Sequence, residues 1–217
     1  MLRCCEIMNS YIIFKKDYNM GRIFCVMGKS ASGKDSIFKE LMHDKSLKLK
    51  NIVPYTTRPI RDGEQDGKDY IFCTEADVQR LESENKIIEL REYNTVYGIW
   101  KYFTVDDGQI DLDKNSYILI GTLETYVKIC RYFGNEKVIP IYIEVEDGER
   151  LMRAISREKQ QKVPKYEEMC RRFLADASDF SDENLKNAGI KRSFINADMQ
   201  DTLKEIRSYI TGELQWQ

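Results

Sequence analysis

Residues 22 to 27, Arg-Ile-Phe-Cys-Val-Met, run apolar into a glycine, and the chain continues Gly28-Lys29-Ser30-Ala31-Ser32-Gly33-Lys34. Beyond Gly33 the apolar residues Ile37, Phe38, Leu41 and Met42 recur at helical spacing. The pattern predicts a buried strand that feeds a glycine loop, which opens a helix ending near Asp44. Glycines in such a loop let consecutive backbone N–H groups converge on phosphate oxygens, and the helix start adds the positive end of its dipole. Lys34 supplies a cation. Gly28, Ser30, Ser32, Gly33, Lys34, Asp35 and Ser36 are therefore the expected cradle for the phosphates of a nucleoside triphosphate. Position 35 departs from the usual pattern, because Asp35 stands where a Ser or Thr hydroxyl normally reaches Mg2+. A carboxylate is itself a good ligand for a hard cation, so Asp35 is the expected metal ligand. The alternative is a decayed loop that no longer binds.

Further strands are expected at Lys50 to Pro54, Ser116 to Ile120, Val138 to Val145 and Arg192 to Asn196, each followed by a helical or polar stretch. Strands that alternate with helices imply an α/β fold whose parallel sheet is covered on both faces. The rhythm differs between Tyr55 and Phe103. There a polar loop precedes Tyr70 to Cys73, a short helix from Glu75 to about Glu84, then Ile87 to Leu90 and further short strand-like pieces. This reads as an inserted subdomain over residues 55–103, with the core in 20–54 and 104–217. The polar segment from Arg157 to Pro164, rich in flexible cations, reads as a lid reaching about residue 166.

At 217 residues the chain suits one domain of ordinary size. The balance of 34 basic and 36 acidic residues excludes a polycation and gives no sign of nucleic-acid binding. The longest apolar runs, such as residues 117–120, are far too short for a membrane span. Six cysteines with no C-x-x-C spacing and His43 as the one histidine make zinc unlikely. Cys25 and Cys73 read as buried small hydrophobes, and the cysteine usage fits a reducing cytoplasm. Residues 1–19 show no signal-peptide pattern and are read as an accessory extension or the product of an upstream start codon.

After the glycine loop the densest signal runs from Tyr55 through Thr56-Thr57-Arg58-Pro59-Ile60-Arg61-Asp62-Gly63-Glu64 to Lys68-Asp69-Tyr70. Two arginines three residues apart, with a tyrosine nearby, are donors suited to a phosphate monoester, although a solvated charged loop has the same composition. At these residues the sequence resembles the guanylate kinase family, which carries T-T-R-x-x-R-x-G-E-x-x-G-x-D-Y after the same loop and strand. The resemblance continues in weaker form from about Gly21 to Ile210. It implies a P-loop NTPase-type three-layer core, a nucleoside-monophosphate-binding insertion and a mobile lid. It also implies transfer of the γ-phosphoryl group from ATP with Mg2+ to a bound monophosphate, GMP or dGMP being the first acceptors to consider.

Carried over by position, the resemblance puts Arg58, Arg61, Tyr70 and Tyr97 at the acceptor phosphate and Glu89 at the N–H groups of a guanine ring. Arg153, Arg157 and Arg172 match the lid arginines that, with Lys34, offset charge during transfer. Other positions depart: Pro54 and Ile99 stand where the family places base-contacting hydroxyls, and Ile120-Gly121-Thr122 replaces an acidic strand end. Guanine discrimination is therefore open, as buried polar contacts carry it. The missing strand-end carboxylate and the new one at Asp35 read as one metal ligand relocated to the loop. Two alternatives stand beside the kinase reading: a P-loop kinase for another phosphorylated metabolite such as ribose bisphosphate, and a non-catalytic guanylate-kinase-like binding module.

Overall fold

The structure, a computed structural model, describes residues 20–95 and 98–215. The expected extension over residues 1–19 and the acceptor-site Tyr97 lie outside the described residues. In chain order the elements are β1 (Ile23–Met27), α1 (Lys34–His43), β2 (Leu49–Asn51), β3 (Tyr55–Thr56), β4 (Ile71–Phe72), α2 (Glu75–Ser83), β5 (Ile87–Thr95), β6 (Gly98–Val105) and β7 (Ser116–Ile120). There follow α3 (Leu123–Phe133), β8 (Val138–Glu144), α4 (Asp147–Lys159), α5 (Tyr166–Asp179), α6 (Asp182–Asn187), β9 (Ser193–Ile195) and α7 (Met199–Gln215).

All five residues of β1 are buried because the strand sits in the centre of a parallel sheet of order β2-β7-β1-β8-β9. Successive side chains of a strand point to opposite faces. Ile23, Cys25 and Met27 accordingly pack with Leu123, Tyr126, Ile129 and Cys130 of α3. Phe24 and Val26 pack with Ile37 and Leu41 of α1 and with Leu203, Ile206 and Ile210 of α7. Each such buried side chain stabilises the fold by about 1.5–3 kcal/mol relative to exposure, so β1 anchors both layers. Parallel strands with both faces covered present their carboxyl ends together, and the loop after β1 emerges at that edge beside the ends of β7 and β8.

The inserted unit has its own four-stranded sheet, ordered β4-β3-β6-β5. One face carries a separate apolar cluster in which Val78 and Leu81 of α2 meet Phe103 and Val105. A capping box between Thr74 and Asp77 starts α2, satisfying two backbone donors reciprocally.

Several boundaries differ from the sequence expectation. The strand expected over Lys50 to Pro54 forms its ladder only over Leu49–Asn51, and Pro54, which has no N–H to donate, lies beyond its end. β5 continues past Leu90 to Thr95, since Arg91, Glu92 and Tyr93 each find a ladder partner on β6. β6 runs to Val105, two residues past the expected edge of the insertion. The cations expected in a lid loop partly continue a helix: α4 reaches Lys159 and α5 begins at Tyr166, leaving residues 160–165 between them. Among the described residues no helix is long and apolar enough to cross a membrane.

Candidate active site

The glycines of the loop are required by contacts and by dihedrals. A Cβ on Gly28 would stand 2.5 Å from the Ile143 carbonyl oxygen and 2.8 Å from Ser32 Oγ. Gly33, at φ 85° and ψ 5°, takes the left-handed conformation that glycine adopts without steric cost, and it caps α1 without a side-chain acceptor. The first-turn N–H groups of α1 thus have no side-chain partner at the cap and are disposed toward an anion. Ser32 Oγ is buried, with no hydrogen-bond partner among the described residues. This donor set fits a triphosphate. Lys34 Nζ lies 3.2 Å from Asp35 Oδ2, and the Asp35 side chain is 71% exposed. Among the described residues no group of three or more His, Cys, Asp or Glu could hold a metal alone. Mg2+ needs only one or two carboxylates beside substrate phosphates and water, so Asp35 fits the role, and Ser36 is exposed next to it.

The helices on either side of residues 160–165 grip this loop through a network that its sequence does not announce. Arg150 of α4 is fully buried. Its guanidinium donates to the Ser30 carbonyl at 3.0 Å, to Asp147 at 2.9 and 3.0 Å and to Asp176 of α5 at 3.4 Å, and stacks over the Phe173 ring. Asp176 accepts the Ser30 N–H at 2.7 Å, and Arg172 donates to Ser30 Oγ at 3.1 Å. On the other side Asn196, just beyond β9, donates to the Ser32 carbonyl at 2.8 Å, while Arg153 donates to the Asn196 carbonyl at 3.2 Å and to Glu149 at 2.8 Å. The structure therefore brings Arg153 and Arg172 to the loop, and places Arg157 exposed on the last turn of α4. In the sequence Arg150 and Asp176 look like ordinary helix charges. Asn196 carried a weak signal, as the polar end of an expected core strand.

The residues expected on the acceptor side gather on the face of the smaller sheet opposite α2. Arg58 is 3% exposed, and its two terminal nitrogens grip Glu64 at 2.5 and 2.8 Å. That hydrogen bonding holds the Glu64 carboxyl below its ordinary range and raises the guanidinium. The guanidinium also lies 4.9 Å from the Tyr70 ring centre, and its Nε is buried with no hydrogen-bond partner among the described residues. Burial pushes the Tyr70 phenol up. Arg61 is exposed, with its backbone N–H on Glu64. The sequence motif of two arginines, a glycine and a glutamate is thus folded around Glu64, which orders both arginines.

Glu89 sits at the other end of the same face with its side chain fully buried. Thr104 donates to Oε1 at 3.0 Å and Arg91 Nε to Oε2 at 3.1 Å. Tyr102 joins the two ends, edge-on to both Tyr70 and Tyr93. Arg91, Tyr102 and Thr104 are functional candidates that the sequence reading missed. The period-2 run Glu89, Arg91, Tyr93 could have marked them, had β5 not been expected to stop at Leu90.

Comparison with known proteins adds independent findings. A family model described as guanylate kinase matches residues 20–212. A guanylate kinase of Caldanaerobacter subterraneus is 27% identical over 194 residues, covering 89% of this chain and 88% of its own. A guanylate kinase of Mycoplasma mobile is 43% identical over 82 residues, but that stretch is 37% of this chain and spans only 41% of the relative's length. The crystal structure of a guanylate kinase from Anaplasma phagocytophilum superposes with a TM-score of 0.60, covering 90% of this chain and 87% of that one at 24% identity, a likeness of fold.

Proposed function

The chain belongs to the guanylate kinase family, and from that premise we propose that it transfers the γ-phosphoryl group of ATP, with Mg2+, to the phosphate of a nucleoside monophosphate, GMP or dGMP first. The observation that carries this reading is the contact between the phosphate loop and the lid helices: Arg172 touches Ser30, and Arg153 reaches Asn196, which holds Ser32. Cations already docked on the loop are what an in-line phosphoryl transfer needs, since its catalysis is chiefly positioning and charge stabilisation. Lys34 neutralises the donor phosphates, Asp35 holds the metal, Arg153, Arg157 and Arg172 offset the developing charge, and Arg58, Arg61, Tyr70 and Tyr97 bind the acceptor phosphate. Glu89 takes N–H donors of the acceptor base. The retained Lys34 favours an enzyme over a binding module, and the free cysteines suit the cytoplasm.

A kinase for a different phosphorylated metabolite is favoured by two features, Asp35 in the loop and the apolar Pro54. Steady-state ADP release with MgATP against GMP, dGMP, AMP, UMP and ribose bisphosphate separates the readings. Turnover dependent on GMP or dGMP supports the proposal, turnover confined to ribose bisphosphate replaces it, and ADP release indifferent to every acceptor overturns it.

A further inference from the structure

Glu89 and Arg91 form a buried pair that the reaction chemistry above leaves half used. Both lie on β5, two residues apart and so on one face, with Thr104 and Tyr102 opposite them on β6. The pair lies near the core sheet, because Ile88 between Glu89 and the start of β5 packs against the cluster that holds Cys25, three residues before Gly28. Lys128 of α3, donating to the Leu90 carbonyl at 2.7 Å, ties that part of β5 to the core.

The side chains of Arg58, Tyr70, Tyr102, Tyr93, Arg91 and Glu89 form a continuous strip of contacts. One end of the strip presents a guanidinium and a phenol suited to a phosphate. The other presents a carboxylate and a guanidinium side by side. A carboxylate only accepts hydrogen bonds, and a guanidinium only donates, through five N–H groups in one plane. Nε serves Glu89, and Tyr93 also pairs with the guanidinium, whose side chain stays 12% exposed. Glu89 alone reads N–H groups. With Arg91 beside it, the pair matches an edge that sets donors next to acceptors, and Arg with guanine O6 and N7 is the commonest such match. Adenine has no carbonyl for the guanidinium to meet; Ile99, which pairs with Asn94 near the hairpin tip and shares the face of Phe103, takes no part in the strip.

We infer that Arg91 reads the carbonyl and N7 side of the acceptor base, next to the N–H side already assigned to Glu89. This rests on the proposal that a nucleoside monophosphate lies along that strip. Arg91 is then a specificity residue, and the strip from Arg58 to Glu89 spans the acceptor from phosphate to base.

The test compares GMP with 7-deaza-GMP, which lacks N7, with 6-thio-GMP, which weakens the acceptor at C6, and with IMP, which lacks the amino group facing Glu89. Turnover and calorimetric binding are both measured, for the unaltered protein and for Arg91→Met. The unaltered protein is expected to lose roughly tenfold in kcat/KM for each altered acceptor position. In Arg91→Met the KM for GMP should rise more than kcat falls, the penalties for 7-deaza-GMP and 6-thio-GMP should shrink toward one, and the preference for GMP over IMP should persist. An unaltered protein that binds GMP, 7-deaza-GMP and 6-thio-GMP alike overturns the inference, even if the variant does not fold. So does a variant that keeps the original penalties. Binding sensitive to C6 and N7 without ADP formation would instead overturn only the kinase reading and leave the base-reading pair standing.

Discussion

Asp176 of α5 accepts the backbone N–H of Ser30 at 2.7 Å, joining that helix to the phosphate loop across 146 residues of sequence. Its second role is to neutralise Arg150, which is fully buried and would otherwise leave a cation without an adequate counter-charge. Asp147 is the other counter-charge, but half of its side chain is exposed.

Removing one member of that clamp should therefore cost more than removing both. Asp176→Ala is expected to destabilise by about 3 kcal/mol, since it strands the Ser30 N–H and part of the Arg150 charge. Arg150→Leu combined with Asp176→Ala should recover the part of the loss that comes from the stranded charge, while the Ser30 N–H still lacks its acceptor. Urea unfolding of the two single variants and the double variant gives the coupling. Strict additivity would contradict it.

The loop carboxylate is expected to carry the metal. Asp35→Ala should abolish MgATP-dependent turnover, whereas Ser36→Ala should lower it by a smaller factor; raised Mg2+ should not rescue Asp35→Ala fully. Initial rates over a Mg2+ titration decide the matter, and equal mild effects from both substitutions would end the assignment.

Gly33→Ala should weaken nucleotide binding more than tenfold. The φ of 85° is unfavourable for alanine by about 1 kcal/mol or more, and its Cβ would stand 2.5 Å from Asn196 Nδ2, displacing the group that holds the Ser32 carbonyl. Titration of a fluorescent ATP analogue reports the loss, while circular dichroism confirms that the strand and helix on either side persist.

The Arg58–Glu64 pair gives stability a defined pH dependence. The folded Glu64 carboxyl is depressed below its ordinary 4.5. Its contribution is therefore complete above about pH 4.5 and is lost as pH falls through the lower folded value. Glu64→Gln should cost about 3 kcal/mol at neutral pH because Arg58 stays buried. The gap between variant and parent should narrow steadily below pH 4.5 in denaturant titrations.

Thiol chemistry should rank the cysteines by burial. Cys170 is exposed, burial pushes Cys73 up to about 11, and fully buried Cys25 is pushed further still. Of these three, iodoacetamide at pH 8 is expected to modify Cys170 first, with Cys73 slower and Cys25 reacting only on unfolding, as mapped by peptide mass spectrometry.

Much of this molecule is legible in the chain alone. Gly28, Gly33 and Lys34 at their spacing, after an apolar strand and before a helical period, determine the phosphate loop, because local backbone geometry and one cation suffice to define it. Arg58, Arg61 and Tyr70 mark the proposed acceptor end for the same reason, being close in sequence. Tertiary structure decided what depends on distant segments. Arg150, Asp147 and Asp176 become a clamp only when α4 and α5 pack on the loop, and Arg172 becomes a loop contact only there. Arg91 acquires a role because β5 finds a partner in β6 beyond Leu90, which puts Glu89 and Arg91 in one buried pair. A charge on a helix or strand reads as solvated until the fold shows what covers it, and burial is a property of the whole chain.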